Sequence, residues 1–412
     1  MSQTLTEAAL ILARCDELAS HSSRTDGIER VYLSFEHARV NAIAAKWMSE
    51  AGMTTWQDAA GNQCGRLEGR EPGLPALVLA SHLDTVPLAG RYDGILGVLS
   101  AIAVVARLSS EELPFAVEVV AFGDEEGTRF GTTLLGSRAF AGSWNRDWEE
   151  LTDEHGISLG QAAEDFGLDD IALAARDPES LVGYLELHIE QGPLLEAGGR
   201  ALGVVTSIAA AGRLSITLTG QSRHCATPWD LRRDALLGAS EAIMAIERIA
   251  RAEGSPATVG HIAVLPDAVN VIPGEAEFSL DLRDETEEGR DATWAVISAE
   301  LHRIAADRGL GLDVKQTHVA PEVICAPELR DVIRAGIRST GDAEPLELFS
   351  IAGHDAMAVA EITDVAMMFV RCKGGISHHS DESVTVEDVA AGVDAFHAAV
   401  LAKALQATAA QS

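Results

Sequence analysis

The sequence predicts an α/β fold: a discontinuous α/β domain with a mixed sheet, interrupted by an inserted α+β domain. Three observations predict it. First, short apolar runs alternate with a helical run near the start. Ala76–Ala80 and the valine-rich Phe115–Phe122 are bounded by proline or glycine, as strands buried on both faces are. Ile95–Leu108 between them has the length and Ala/Leu content of a buried helix, giving a strand–helix–strand unit. The polar stretch Ser143–Glu179 separates that unit from a further strand, Tyr184–Ile189. Second, the pattern changes after Ala209–Gly212. Leu214–Thr219 alternates as a half-exposed strand, Leu231–Ala252 reads as a long helix, and strands follow near Ala257–Val264 and Glu275–Arg283. A helix Asp291–Arg308 and a strand Gly311–His318 complete a β-α-β-β-α-β order, the split βαβ of a ferredoxin-like sandwich. Third, helix and strand patterns resume from Leu329, with Val365–Val370 as a buried strand and the alanine-rich tail Ala402–Ser412 as helix fraying at its end. Residues 1–211 and 327–412 therefore form one domain, and 212–326 the insertion.

The composition narrows the function classes. Sixty-three acidic residues against thirty-one basic ones among 412 leave a net charge of −32. Such a surface repels phosphate backbones and anionic lipid, which argues against nucleic-acid and membrane-surface roles. Five scattered cysteines (Cys15, Cys64, Cys225, Cys325, Cys372) form no CxxC pair and read as reduced thiols. With no basic leader before the first apolar stretch and no apolar run near 18 residues, a cytoplasmic location is expected.

Four segments carry chemistry. Ser81-His82-Leu83-Asp84 follows a strand; an imidazole there can ligate a metal while a carboxylate nearby fixes its tautomer. Asp93 lies nine residues on, in a glycine-flanked loop before a helix, where a helix N-cap is the plain alternative. Gly123-Asp124-Glu125-Glu126-Gly127 also follows a strand, where open α/β sheets place ligand sites, although an isolated acidic run is more often a solvated loop. His188 sits in ELHIEQGP and His378 in GISHHSDE, and either alone reads as a packed strand-end histidine. Together they change the balance, because each segment ends or follows an apolar strand and all can converge on one sheet edge. Two or three imidazoles with three carboxylates suit two divalent ions of the Zn²⁺ kind, with a bridging carboxylate and a shared water. Glu125, beside Glu126, is then free to move protons.

The segments HLDTVP, GRYDGILGV, GDEEGTRFG, ELHIEQGP and GISHHSDE resemble the aminoacylase/carboxypeptidase-type dinuclear zinc hydrolases. More narrowly, the chain resembles the hydantoinase/carbamoylase branch, which holds N-carbamoyl-L-amino-acid hydrolases, β-ureidopropionases and allantoate amidohydrolases. DAAGNQCGR at 58–66, NVIP at 270–273, DLR at 281–283 and AGHDA at 352–356 add to the match, which runs in order from about residue 20 to 400. The resemblance implies that His82, Asp93 and His188 hold one ion, and that Asp93 bridges to a second held by Glu126 and His378. Asp84 would orient His82, Glu125 would be the base, and His379 would be an incidental neighbour of His378. Two divalent ions per subunit are implied, zinc first, with manganese, cobalt or nickel as alternatives.

In the insertion, the stretch after His224 reads Cys-Ala-Thr-Pro, one residue shorter than the branch pattern, and Cys225 reads as a small packed hydrophobe. A planar guanidinium suits the carboxylate of a ureido acid, which makes Arg283 the candidate clamp, a surface ion pair amid the acidic Asp284–Glu288 run being the alternative; Asn270, Gln191 and Gly353 add substrate contacts, and His224 would serve the oxyanion. The resemblance also implies a homodimer through the inserted lid/dimerisation domain, with His224 reaching the partner's metals and a hinge near Gly212 and Pro327–Glu328. The expected activity is hydrolysis of the carbamoyl C–N bond of an N-carbamoyl-L-amino acid to amino acid, CO₂ and ammonia. That makes it a hydrolase of carbon–nitrogen bonds other than peptide bonds. Allantoate and N-carbamoyl-β-alanine are the alternative substrates. A dipeptidase or aminoacylase, and a catalytically silent metal-binding homologue, stand further off.

Overall fold

The computed structural model describes residues 3–110 and 113–411. The chain divides into two compact units: residues 1–206, 325–348 and 353–412, and residues 207–324 with 349–352. In the first unit, neighbouring strands of a mixed sheet run in the order Thr54–Gln57, Gln63–Leu67, Ala116–Phe122, Ala76–His82, Leu181–Ile189, Val365–Val370 and Leu202–Ile208. The four strands in the centre are parallel to one another, and the flanking pairs are antiparallel. Ala76–His82, Ala116–Phe122 and Val365–Val370 are buried at every position, because helices cover both faces and no alternation of polar residues is needed. The helix Ile95–Arg107 packs between the sheet and the helices Gln3–Ala19 and Val386–Gln411, which explains its almost unbroken apolar sequence. The last of these helices carries the alanine-rich tail; Ser412 lies outside the described residues.

One polar residue interrupts the buried strands. Glu118 is 2% exposed, and Arg66 and Arg176 each reach one of its oxygens at 2.7 Å. A carboxylate so far from water is tolerated because both oxygens meet guanidinium donors.

The second unit has an antiparallel sheet in the order Ile262–Leu265, Glu275–Asp284, Ala210–Thr219 and Gly311–Ala320. With the helices Ala235–Glu253 and Glu287–Arg308 this is the 2-3-1-4 strand order of a split βαβ sandwich. Alternate residues of the central strands, Ile216, Leu218, Phe278 and Leu280, pack against Ala242, Ile246, Ile297 and Leu301. The helices begin where their caps dictate. Asp234 accepts the Leu237 N–H, so the first helix starts at Ala235, later than the expected Leu231, and Trp229–Leu231 forms a 3₁₀ turn instead. Thr286 caps Gly289 and starts the second at Glu287, earlier than the expected Asp291. A cap of this kind contributes about 1 kcal/mol. Among the described residues no helix is long and apolar enough to cross a membrane.

Candidate metal centre

The four parallel strands end on one edge of the first unit's sheet. His82 closes one strand and lies beside Phe122, the last residue of the next, after which Gly123–Glu126 turns away. His188 lies beside Phe369 on the neighbouring pair, and the chain beyond Val370 carries Ser377 and His378. The carboxyl ends of parallel strands thus bring together residues separated by nearly 300 positions.

Asp93 is the centre of the cluster. Its Oδ1 lies 3.1 Å from His188 Nε2 and 3.5 Å from His82 Nε2, while its Oδ2 lies 3.0 Å from His378 Nε2. His378 Nε2 is also 3.3 Å from Glu126 Oε1. Two triads therefore share one carboxylate, His82–Asp93–His188 and Asp93–Glu126–His378, with ligand atoms within 4.8 Å of one another in each. Gly94 follows Asp93 with φ +70°, and a Cβ there would clash with the His82 ring, so only glycine lets the loop approach. Gly94, not Asp93, stands at the N-cap of the helix, leaving the Asp93 carboxylate to the cluster.

Asp84 does more than face one imidazole. His82 Nδ1 is 3.1 Å from the Asp84 carbonyl oxygen and 3.5 Å from Oδ1. The carboxylate accepts the main-chain N–H of Glu125 at 3.1 Å and of Glu126 at 3.2 Å. Asn62 braces the same loop from the other side, accepting the Gly123 N–H at 3.1 Å and donating to the Gly136 carbonyl. Asp124, Gln191 and His378 all take left-handed backbone, with φ of 64°, 56° and 54°. Non-glycine residues held there are concentrated at sites where geometry outweighs local comfort.

The electrostatics fit cations. Burial disfavours charge on Asp93, yet His188, His378 and His82 hold its carboxyl well below the usual range. Bonds to Asp93 and Glu126 raise His378 to about 11, against its burial. Burial lowers His82 and His188, but the carboxylates around them prevail and raise both. Glu125, 9% exposed, is pushed well above the carboxylate range, first by burial and then, against the opposing His82, by Glu126 and Asp355. A pocket that pulls positive charge onto three imidazoles, with two triads of nitrogen and oxygen donors, has the donor chemistry of a pair of borderline divalent ions.

Gln191, expected to touch substrate, donates to Asp93 Oδ2 at 2.9 Å and so lies at the donor cluster. Several other neighbours carry no role in the sequence reading. Glu186, His188 and His354 form a further buried group, with Ser81 and Tyr184 donating to Glu186 and the His354 ring edge-on to His188. Ser377 and Glu382 bond to the Asp93 loop. The AGHDA and GISHHSDE segments point to these residues, but their partners lie far away in the chain. His379 is exposed, accepts the Asp381 N–H and belongs to none of the donor groups among the described residues.

In the second unit, His224 pairs with Val271 across a short two-stranded ladder, which sets it beside Asn270, whose carbonyl accepts the Cys225 N–H; both side chains are exposed. Cys225 is exposed too, which corrects its reading as a packed hydrophobe: the turn at 225–227 lifts it off the core. Arg283 is engaged within its own unit, with Asp281 taking two of its N–H groups and the Ile351 carbonyl a third at 2.7 Å. Gly353 is exposed and directly precedes buried His354.

Residues 78–402 match the family described as peptidase family M20/M25/M40. The chain is 39% identical to an N-carbamoyl-L-amino acid amidohydrolase of Geobacillus stearothermophilus, across 90% of this chain and 92% of the relative. It is 39% identical to an allantoate deiminase of Arabidopsis thaliana, across 92% of this chain and 79% of that protein. The fold is similar to that of a hydantoinase/carbamoylase family amidase from Burkholderia multivorans, with a TM-score of 0.88 and 33% identity over 96% of this chain and 98% of the other. The chain therefore belongs to peptidase family M20/M25/M40, on its hydantoinase/carbamoylase amidase branch.

Proposed function

We propose that the chain is a metal-dependent amidohydrolase of ureido acids, cleaving the carbamoyl C–N bond of N-carbamoyl-L-amino acids. The observation that carries this reading is the single carboxylate of Asp93 facing one histidine pair through Oδ1 and His378 through Oδ2, with buried Glu125 alongside. His82, Asp93 and His188 would hold one ion, and Asp93, Glu126 and His378 the other, zinc being the first choice. When bound, the ions supply Lewis-acid polarisation of the ureido carbonyl and make water a better nucleophile at neutral pH.

The chain's own groups move the protons. Glu125 takes a proton from the attacking water as its oxygen bonds to the carbamoyl carbon. It then delivers that proton to the departing amino nitrogen as the C–N bond breaks. The amino acid leaves, and the carbamic acid falls apart to CO₂ and ammonia. A carboxyl group held above its ordinary range is suited to accept and return a proton. Asp84 keeps Glu125 in place through its main-chain N–H.

His224, Asn270, Arg283, Gln191 and Gly353 enter as substrate-binding proposals on the strength of the sequence reading, with His224 assigned to the oxyanion. Self-association through the second unit is supported by its edge strand Ile262–Leu265, where Ile262 and Leu265 are exposed, and by exposed Met244. Unpaired cysteines throughout support a reducing compartment, the cytoplasm.

Allantoate is the second reading, favoured by the Arabidopsis relative. Ammonia release from N-carbamoyl-α-amino acids, N-carbamoyl-β-alanine and allantoate, after loading with Zn²⁺, Mn²⁺ or Co²⁺, tests both. Turnover of N-carbamoyl-L-amino acids above the others is expected. Turnover of allantoate alone transfers the assignment, and turnover of none of the three removes it.

A further inference from the structure

Asp93 and His378 stand in loops almost 300 residues apart, yet their ligand atoms must be held to a fraction of an ångström for one carboxylate to serve both triads. One side chain joins the two loops. Glu382 is 5% exposed, and its Oε1 accepts the main-chain N–H of Tyr92 at 2.7 Å and of Asp93 at 3.2 Å. Its Oε2 lies 2.9 Å from Ser377 Oγ. Ser377 Oγ lies in turn 2.7 Å from Asp93 Oδ2, the oxygen that faces His378. Oε1 is taken by two main-chain N–H groups, and Oε2 faces the Ser377 hydroxyl, whose single proton goes either to Glu382 or to Asp93; Glu382 belongs to none of the metal-donor groups among the described residues. The fit is specific to this neighbour: a Cβ on Gly90 would clash with the Glu382 carboxyl group. The 90–93 loop thus comes close enough to be gripped because residue 90 has no side chain.

We propose that Glu382, acting with Ser377, is a positioning residue of the metal centre: it latches the Asp93 loop to the His378 loop and so sets the geometry in which Asp93 serves both ions. The proposal rests on the two-ion reading above. It requires of Glu382 an acceptor oxygen for the Tyr92 and Asp93 N–H groups and a polar atom facing Ser377 Oγ, not a charge. Outer-sphere hydrogen-bond partners of metal ligands are typically worth about 10–100-fold in metal affinity.

The test uses the full chain and cobalt(II) alone as the probe, with affinities from chelator competition and the visible spectrum of the loaded protein. Glu382→Ala should weaken cobalt binding about 10–100-fold and alter the cobalt spectrum. Glu382→Gln keeps a carbonyl oxygen for the Tyr92 and Asp93 N–H groups and should bind within a few-fold of wild type. Ser377→Ala, a small change that spares the fold if Glu382→Ala does not, should lose about tenfold. A purely structural role would lower the melting temperature of all variants without this graded change in affinity and spectrum. Two ions bound by wild type, with Ser377→Ala and the folded Glu382 variants unchanged in affinity and spectrum, would overturn the latch and leave the two-ion reading intact. Fewer than two ions on wild type would bring down that reading and the latch with it.

Discussion

The carboxylate of Asp84 accepts the main-chain N–H of Glu125 at 3.1 Å, so the strand end that carries His82 also sets the loop that carries the proposed base. Its other oxygen takes the Glu126 N–H. Asparagine has one acceptor oxygen where two are used, and Asp84→Asn would leave a buried N–H facing an amide. Such a mismatch costs about 1–3 kcal/mol, or roughly 5–150-fold. Turnover should fall by that factor with the ions retained, as measured by initial rates and elemental analysis. Unchanged turnover would show that the loop holds itself.

Asp93 serves both triads, whereas each histidine serves one. Asp93→Ala should bind less metal per chain than His188→Ala, in elemental analysis after dialysis at matched protein concentration. Retention of two ions with wild-type affinity in Asp93→Ala would refute the bridge.

The adjacent glutamates should part company when each is made an amide. Glu125→Gln should keep its ions but lose about 10²–10⁴-fold in turnover, the usual contribution of a general base. Glu126→Gln should weaken one ion. Equal metal loss in the two variants would reverse or abolish the division of labour.

His37 gives a pH-dependent stability term away from the cluster. Burial holds its imidazole down at about 4, and the Leu33 N–H pointing at Nδ1 also disfavours the charged ring. Below about pH 6.5 the unfolded chain takes up a proton that the folded chain refuses until about 4. The His37 contribution is therefore complete above pH 6.5 and lost as pH falls towards 4, up to about 3 kcal/mol. Asp58, raised by burial to about 6, works in the opposite sense, favouring the fold at low pH and losing that contribution as pH rises through 6. The difference between wild type and His37→Gln isolates the histidine. Urea midpoints at pH 7.5 and 5.0 should fall further on acidification for wild type than for the variant, and parallel shifts would contradict the assignment.

If His224 acts on a partner chain, two inactive proteins should complement. Mixed dimers of Glu125→Gln with His224→Ala would contain one site with both groups intact, and part of the activity should return. No recovery in verified mixed dimers would confine His224 to its own chain or remove it from the reaction.

The parts of the fold legible in sequence are those whose burial is uniform. Val365–Val370 and Ala116–Phe122 read as strands because every side chain is inside. Thr54–Gln57, short, polar and largely exposed, offers no such pattern, and the helices Gln3–Ala19 and Phe35–Glu50 mix polar and apolar residues too evenly to stand out. At the cluster, residue types and strand-end placement make His82, Asp93, Glu126, His188 and His378 candidates in advance. The positioning residues stay hidden for a physical reason. Glu382 grips main-chain N–H groups, and main-chain groups leave no mark on the composition of the segment gripped. Asp84 is similar: its neighbour in sequence is His82, but its carboxylate is engaged by N–H groups some forty residues on.

The sheet order has a consequence for biogenesis. Val365–Val370 is inserted between Leu181–Ile189 and Leu202–Ile208, so two strands wait for one made long after both. His378 arrives later still. A nascent chain that has not reached Val365 has neither this strand in the sheet nor His378 opposite Asp93, and long-range closure of this kind is slow. Stable capture of both ions would then wait for the segment carrying Val365–Val370 and His378, making metal content a reporter of sheet closure and leaving chains short of that segment without the assembled donor cluster.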